Sequence, residues 1–168
     1  MGIRYQNVDF LLTFNEPISF FSFPTFVFHS ILGKELRRLC CLFPKRVCRE
    51  CSLRMTCAYS WMFETPLDKD NTALPGRNKG THPYVMFFKP GEVRNTKYGV
   101  LSVTLIGKAS EYLPYIYFSL KKAGTIGVFK KRTKFSIDDV KTENTSILTD
   151  PGNILKLRKS RIIFFKGQ

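Results

Sequence analysis

The sequence predicts an α+β fold of the ferredoxin-like kind that carries a cysteine-rich metal-binding insertion. Three observations predict it. Segments of alternating polarity and segments of helical spacing follow one another as strand, helix, strand, strand, helix, strand, the order of a split βαβ layout. Four cysteines, Cys41, Cys48, Cys51 and Cys57, are gathered after the first helix, separated by six, two and five residues. The chain has 168 residues, 43% of them hydrophobic, which is enough to bury one core and short for two. A single domain over residues 1–168 is therefore expected, with a cysteine knuckle at 40–60 and a polar loop at 65–82.

Val8 to Phe14 alternates loosely between apolar and polar residues and meets the turn-like Asn15-Glu16-Pro17, which reads as a first strand. From Pro24, the apolar residues Phe28, Ile31, Leu32, Leu36 and Leu39 recur at helical spacing, with Arg37 and Arg38 on another face. This first helix delivers the chain into the knuckle. Trp61-Met62-Phe63-Glu64 follows, and then Asp68 to Gly80, rich in Asn, Gly, Lys and Pro and therefore a loop. Tyr84 to Phe88 and Gly99 to Ile106 flank Pro90-Gly91 and make a hairpin. Ala109 to Ala123 places Leu113, Ile116, Tyr117 and Leu120 on one face, with Pro114 near its start and Gly124 as a carboxyl cap, so it reads as a second helix. Ile126 to Phe129 and Lys134 to Val140 read as strands. Ile147-Leu148, the turn Asp150-Pro151-Gly152 and the run Ile162 to Phe165 supply one further hairpin. There are 16 phenylalanines, many of them between Phe10 and Phe28. They furnish an aromatic core or an exposed stacking surface, and the core is the expectation.

Four thiols in one short stretch close around a single inorganic centre at little cost in loop entropy, and each thiolate is a soft ligand. Zinc takes four thiolates in a tetrahedron, and the pair Cys48 and Cys51 has its usual C-x2-C spacing. An iron–sulfur cluster takes four thiolates as well and tolerates wider spacing. Structural zinc is the expected occupant, with the cluster as the alternative. Cys40 adjoins Cys41 and points elsewhere, so it is left out of the ligand set. In spacing and basic filling, the run from Cys41 to Cys57 also resembles the cluster loop of the endonuclease III class of DNA glycosylases. The helix-hairpin-helix that those enzymes need has no counterpart here. A basic chain without a signal peptide belongs in a reducing compartment, where clustered thiols bind metal rather than pair as disulfides.

The net charge is +14, from 27 Lys and Arg against 13 Asp and Glu. Such an excess attracts polyanions. The cations fall in three groups: Arg37, Arg38, Lys45, Arg46, Arg49 and Arg54; Lys121, Lys122, Lys130, Lys131, Arg132 and Lys134; and Lys156, Arg158, Lys159 and Arg161. Separated groups suit a winding phosphate backbone better than a flat membrane. A nucleic acid is the expected partner, contacted by Arg38, Lys45, Arg46, Arg49, Lys121, Lys122, Lys130, Lys131, Arg132 and Lys134, with Tyr112, Tyr115, Tyr117 and Phe129 available to stack on bases. The most apolar run, Ile18 to Leu32, is too short to span a bilayer and holds Pro24. No membrane partner is expected, and the location is expected to be cytoplasmic.

The succession His29-Ser-Ile-Leu-Gly33, Leu36-Arg-Arg-Leu39, the knuckle, Cys57-Ala-Tyr59, Phe63-Glu64, Pro83-Tyr-Val85, Val103-Thr-Leu-Ile-Gly-Lys-Ala109 and Leu113-Pro-Tyr115 resembles the amino-terminal half of the CRISPR RNA-processing endoribonucleases, the Cas-six proteins of the RAMP superfamily. The resemblance covers about residues 28–140. It implies a RAMP-type or RRM-like domain that binds CRISPR repeat or guide RNA and cleaves it once, leaving a 2′,3′-cyclic phosphate without metal in the chemistry. Family members carry two such domains and a glycine-rich loop near the carboxyl end, and this chain has room for one. A fragment lacking a carboxyl-terminal domain, a subunit working with other CRISPR effector subunits, and a relative without cleavage all remain open.

Cleavage at a 2′-hydroxyl needs a base, an acid for the leaving 5′-oxygen and a cation for the phosphorane. The resemblance implies His29 as acid or base, with Lys34 or Arg37 as charge stabiliser. His82 ranks second, since its place at a strand entry suits a capping role. A noncatalytic reading, in which His29 only packs and the domain serves assembly, is the alternative. Asp138 and Asp139, neighbours on a strand, cannot share a magnesium ion unless a bulge intervenes. No phosphate-binding loop of the G-x4-GKS/T kind occurs, and Gly124 to Gly127 reads as a tight turn.

Overall fold

The computed structural model describes residues 2–20, 23–67, 76–92, 94–129, 131–149, 154–155 and 161–164. The molecule is α+β, and its described residues form a main antiparallel sheet, a separate two-stranded sheet and two α-helices. Strand β1 (Gly2–Ile18) buries Val8, Phe10, Leu12 and Phe14 on one face, as the two-residue period of an extended chain requires. Helix α1 (Pro24–Cys40) begins at a proline, whose missing N–H costs nothing in a first turn, and buries Phe28, Leu32 and Leu36. Strands β2 (Tyr84–Pro90) and β3 (Thr96–Ile106) form the expected hairpin. Helix α2 (Leu113–Ile126) follows a 3-10 turn over Gly107–Tyr112, and β4 is Phe135–Thr142.

The sheet order is β2-β3-β1-β4, with every neighbouring pair antiparallel. Helices α1 and α2 pack on each other, and their apolar residues join the inward residues of the sheet in one core. A two-residue strand β5 (Thr145–Ser146) extends the β4 edge, and β6 (Leu148–Thr149) pairs with β7 (Ile154–Leu155). Strand β8 (Arg161–Phe164) pairs with Gly2 to Tyr5 of β1, while β4 occupies Asp9 to Phe14. None of the described helices is long and apolar enough to cross a membrane.

Several expected boundaries move. Strand β1 runs through Asn15-Glu16-Pro17 instead of turning there, with an irregularity in its pairing to β3 between Thr13 and Ile18. The second helix passes Gly124, where an added Cβ would land on the carbonyl of Phe135, so this glycine admits β4 to the side of the helix. The cap lies at Gly127, with φ 91°, a conformation that favours glycine. Ile126 to Phe129 is accordingly no strand: Ile126 ends α2, and a bridge from Val128 to Thr133 closes a turn. At β4 a bulge does intervene, since Asp139 faces Leu11, Ile137 faces Leu12 and Asp138 is the extra residue. Its carboxylate is hydrogen-bonded by Thr13 and Ser136, and that of Asp139 by Ser146. Residues 68–75 of the polar loop and the turn Asp150-Pro151-Gly152 lie outside the described residues, as does Phe165 of the last apolar run.

The phenylalanines divide. Phe10, Phe14, Phe28 and Phe88 are fully buried, with Phe88 stacked on Phe28 at 4.6 Å and meeting Phe20 at 5.1 Å and Phe14 at 6.3 Å. Phe23 and Phe26 are 75% and 72% exposed. Leu39, expected on the buried stripe of α1, is exposed near its end, and Ile31 is half-buried against the core.

Candidate functional site

His29 follows the buried Phe28, which puts it at the rim of the apolar stripe of α1 and leaves it half-buried. His82 stands two residues ahead of β2 and is exposed, and Tyr84 opens that strand and is buried. The fold brings the three rings together. The His29 and His82 centroids are 5.7 Å apart, and Tyr84 lies 5.9 Å from the first and 5.7 Å from the second. Phe63 joins them, 5.2 Å from His29 and 6.0 Å from His82. It is delivered by a π-helical turn, Ser60–Glu64, in which the Thr65 amide reaches back to the Ser60 carbonyl at 2.8 Å. Thr65 then turns left-handed, at φ 44°, and its hydroxyl donates to the Gly80 carbonyl at 2.8 Å.

The electrostatics of the pair follow from this packing. Burial, and secondly the charge of His82, lower the pKa of His29 below 6.5, so it is neutral at physiological pH. His82 Nδ1 lies 3.1 Å from the carbonyl oxygen of Met62, which only accepts, so Nδ1 carries a proton and Nε2 remains for exchange. The Tyr84 hydroxyl is buried without a hydrogen-bond partner among the described residues, and burial holds its pKa far above the usual phenol value. The two imidazoles are thus in ring contact, with the phenol of Tyr84 held protonated beside them.

Gly33 makes this cluster possible. A Cβ there would meet Phe63 Cε1 at 2.8 Å, and Phe63 is itself stacked on Tyr59 at 5.5 Å and 8°. Alanine in an exposed helix interior normally gains about 0.5–1 kcal/mol over glycine. Here Gly33→Ala is expected to lower stability by about 1–2 kcal/mol, because the Phe63 ring must shift out of its stack. Urea unfolding of the variant checks the sign.

Lys34 is exposed and, five positions on from His29, lies about 140° round the helix from it. Arg37 serves the cysteine segment: its guanidinium lies 5.6 Å over the Tyr59 ring and donates to the Pro44 carbonyl at 3.4 Å. All five cysteines are free thiols lining one narrow cavity of about 20 Å³. Cys40, the last residue of α1, donates its thiol to the Leu36 carbonyl at 2.7 Å, and burial pushes its pKa up to about 11. Burial also raises Cys48, against the pull of Arg37. Among the described residues, no three Cys, His, Asp or Glu side chains stand close enough to share a metal ion, so binding one requires the thiols to turn inward.

The cations Lys45, Arg46 and Arg49 are exposed around that cavity, and Arg38 is exposed with an ion pair to the buried Glu35 at 2.7 Å. Lys121 and Lys122 line the outer side of α2, and Lys131, Arg132 and Lys134 the turn into β4. Lys130, Lys156, Arg158 and Lys159 lie outside the described residues. Of the rings expected to stack on bases, Tyr112 and Tyr117 are buried in the core, whereas Tyr115 and Phe129 are partly exposed. The contact of His82 with His29 is the feature of the candidate site that sequence reasoning missed. No local pattern links residues so far apart in the chain; only the pairing of α1 with the start of β2 does.

Comparison with curated proteins gives no match. Residues 3–161 match the family AF_1859_N, described as an N-terminal domain, and the chain belongs to that family.

Proposed function

We propose that the chain is an RNA-binding domain of ferredoxin-like, RAMP-type topology that binds precursor CRISPR repeat RNA and cleaves it by metal-independent acid–base chemistry. The strand order β2-β3-β1-β4 with two helices on one face supports the topology. The net charge of +14 supports the polyanion. The observation that carries the cleavage is the pair of imidazoles at 5.7 Å, one kept neutral and the other with Nδ1 engaged by a carbonyl and Nε2 left for proton exchange.

In this mechanism, neutral His29 takes the proton of a ribose 2′-hydroxyl. The oxygen attacks the adjacent phosphorus, and the bond to the 5′-oxygen breaks. His82 acts as the acid, its Nε2 giving a proton to that leaving oxygen, which yields a 2′,3′-cyclic phosphate and a 5′-hydroxyl. Lys34 and Arg37 are held away from a direct part by the positions described above, so charge on the phosphorane falls to the surrounding cations or to a partner subunit. The cysteine segment is proposed to hold structural zinc through Cys41, Cys48, Cys51 and Cys57. A cavity of about 20 Å³ has room for one water-sized body, which favours a single ion over the alternative iron–sulfur cluster.

A second reading, a noncatalytic RNA-binding or assembly subunit of a CRISPR effector complex, is favoured by the packing of His29 between Phe63 and Tyr84. Incubation with a CRISPR repeat hairpin RNA in EDTA separates the two. Cleavage to a cyclic phosphate in the presence of chelator supports the enzyme, and intact RNA that stays bound supports the assembly subunit. Elemental analysis of the same preparation is expected to find one zinc per chain; iron, or no metal, contradicts the zinc proposal.

A further inference from the structure

Phe23 and Phe26 stand at the start of α1 with three quarters of their surface in solvent, and their rings meet edge to face at 6.1 Å. Large aromatics are normally buried, so an exposed pair points to a partner. Their neighbourhood says which. Phe20, three residues earlier, touches Phe129 at 5.6 Å, which ties the approach to α1 to the turn that carries Lys131 and Arg132. In that turn both Phe129 (φ 62°) and Arg132 (φ 50°) are left-handed, a costly conformation for such side chains, held by the Val128–Thr133 bridge. Lys131 and Arg132 are exposed, and the first turn of α1 has no acidic residue to repel a phosphate. Two bare rings, joined through Phe20 and Phe129 to a turn of exposed cations, match a strand whose bases stack and whose backbone is anionic.

We infer that Phe23 and Phe26 form a base-stacking platform for single-stranded RNA, with the Lys131-Arg132 turn holding the adjoining phosphates. This inference rests on the RNA-binding reading above and assigns it further contact residues, with Phe26 one helical turn before His29. The test is fluorescence anisotropy of the full chain with a labelled ten-nucleotide oligouridine over a KCl series. The double variants Phe23→Ala with Phe26→Ala, and Phe23→Leu with Phe26→Leu, are each expected to weaken binding at least about tenfold. Their log K against log salt slope should be that of the wild type, since no charge is lost. Lys131→Ala with Arg132→Ala should instead flatten the slope by about 1.4, at about 0.7 for each phosphate. The thermal unfolding midpoint of the aromatic variants should be unchanged, because the rings lie outside the core.

Wild-type affinity in both aromatic variants overturns the platform and leaves the RNA reading standing. Failure of the wild type itself to bind at low salt removes the RNA reading and the platform with it. An RNA-free wild type that is dimeric while the alanine variant is monomeric, by light scattering, overturns the platform in favour of a second copy of the chain. Weakening by alanine but not by leucine also overturns it, because an aliphatic side chain keeps the apolar area and loses the stacking face.

Discussion

Replacing His29 with alanine is expected to slow cleavage of repeat RNA by about 10²–10⁴-fold while leaving the affinity for that RNA unchanged. The reason is the division of labour in the ring cluster. His29 is kept neutral by burial and by His82, so it is a base already lacking its proton at pH 7. His82→Ala should cost a similar factor through loss of the acid, and the double variant should be little worse than either single one, since the groups act as a unit. The acid limb of the wild-type rate is set by protonation of His29 and should fall below pH 6.5. Stability shares that sign. With its folded pKa depressed, His29 binds a proton more readily in the unfolded chain, so stability is full above pH 6.5 and is lost as pH falls below it. Single-turnover kinetics on both variants, beside equilibrium binding, decide the point. A variant at His29 that cleaves at the wild-type rate removes the proposed base.

Phe88→Ala is expected to destabilise the fold by about 3–5 kcal/mol, a large part of the roughly 5–15 kcal/mol that holds a small domain together. Phe88 is 2% exposed and packs against the rings of Phe14, Phe20 and Phe28. It also covers Gly99 across the hairpin, where an added Cβ would collide with its ring. Truncation therefore opens a cavity in the layer between α1 and the sheet, and the surrounding rings are too rigid to collapse into it. Phe26→Ala, the same chemical change at a residue 72% exposed, should cost almost nothing. Urea midpoints at constant m-value measure both. Equal losses at the two positions would contradict the division of the phenylalanines between core and surface.

The elements that sequence pattern disclosed are those whose burial is local and periodic. The stripe Phe28, Leu32, Leu36 places α1, and alternation through β3 places the hairpin, because a single buried face repeats along each. What escaped depends on contacts distant in the chain. Strand β1 passes through Asn15-Glu16-Pro17 because the Asn15 amide finds the Lys134 carbonyl at 3.0 Å, a partner that no local propensity reveals. Helix α2 overruns Gly124 because that glycine answers the approach of β4 and not the end of the helix. The π-helical turn at Ser60–Glu64 has no sequence signature, and yet it positions Phe63. At the site, His29 was legible as a lone imidazole beside phenylalanines. Arg37 read as its companion along the helix, but the side chain turns to Pro44 and Tyr59. The ring that meets His29 is that of His82, supplied by the loop before β2.

The central claim is that a cationic surface grips a polynucleotide, and its most direct measurement is the equilibrium binding of a repeat-hairpin RNA as KCl is raised. The expected result is tight binding at low salt whose logarithm falls linearly with log salt, steepening with each phosphate neutralised. Absence of binding at low ionic strength, or an affinity that does not change with salt, would contradict it.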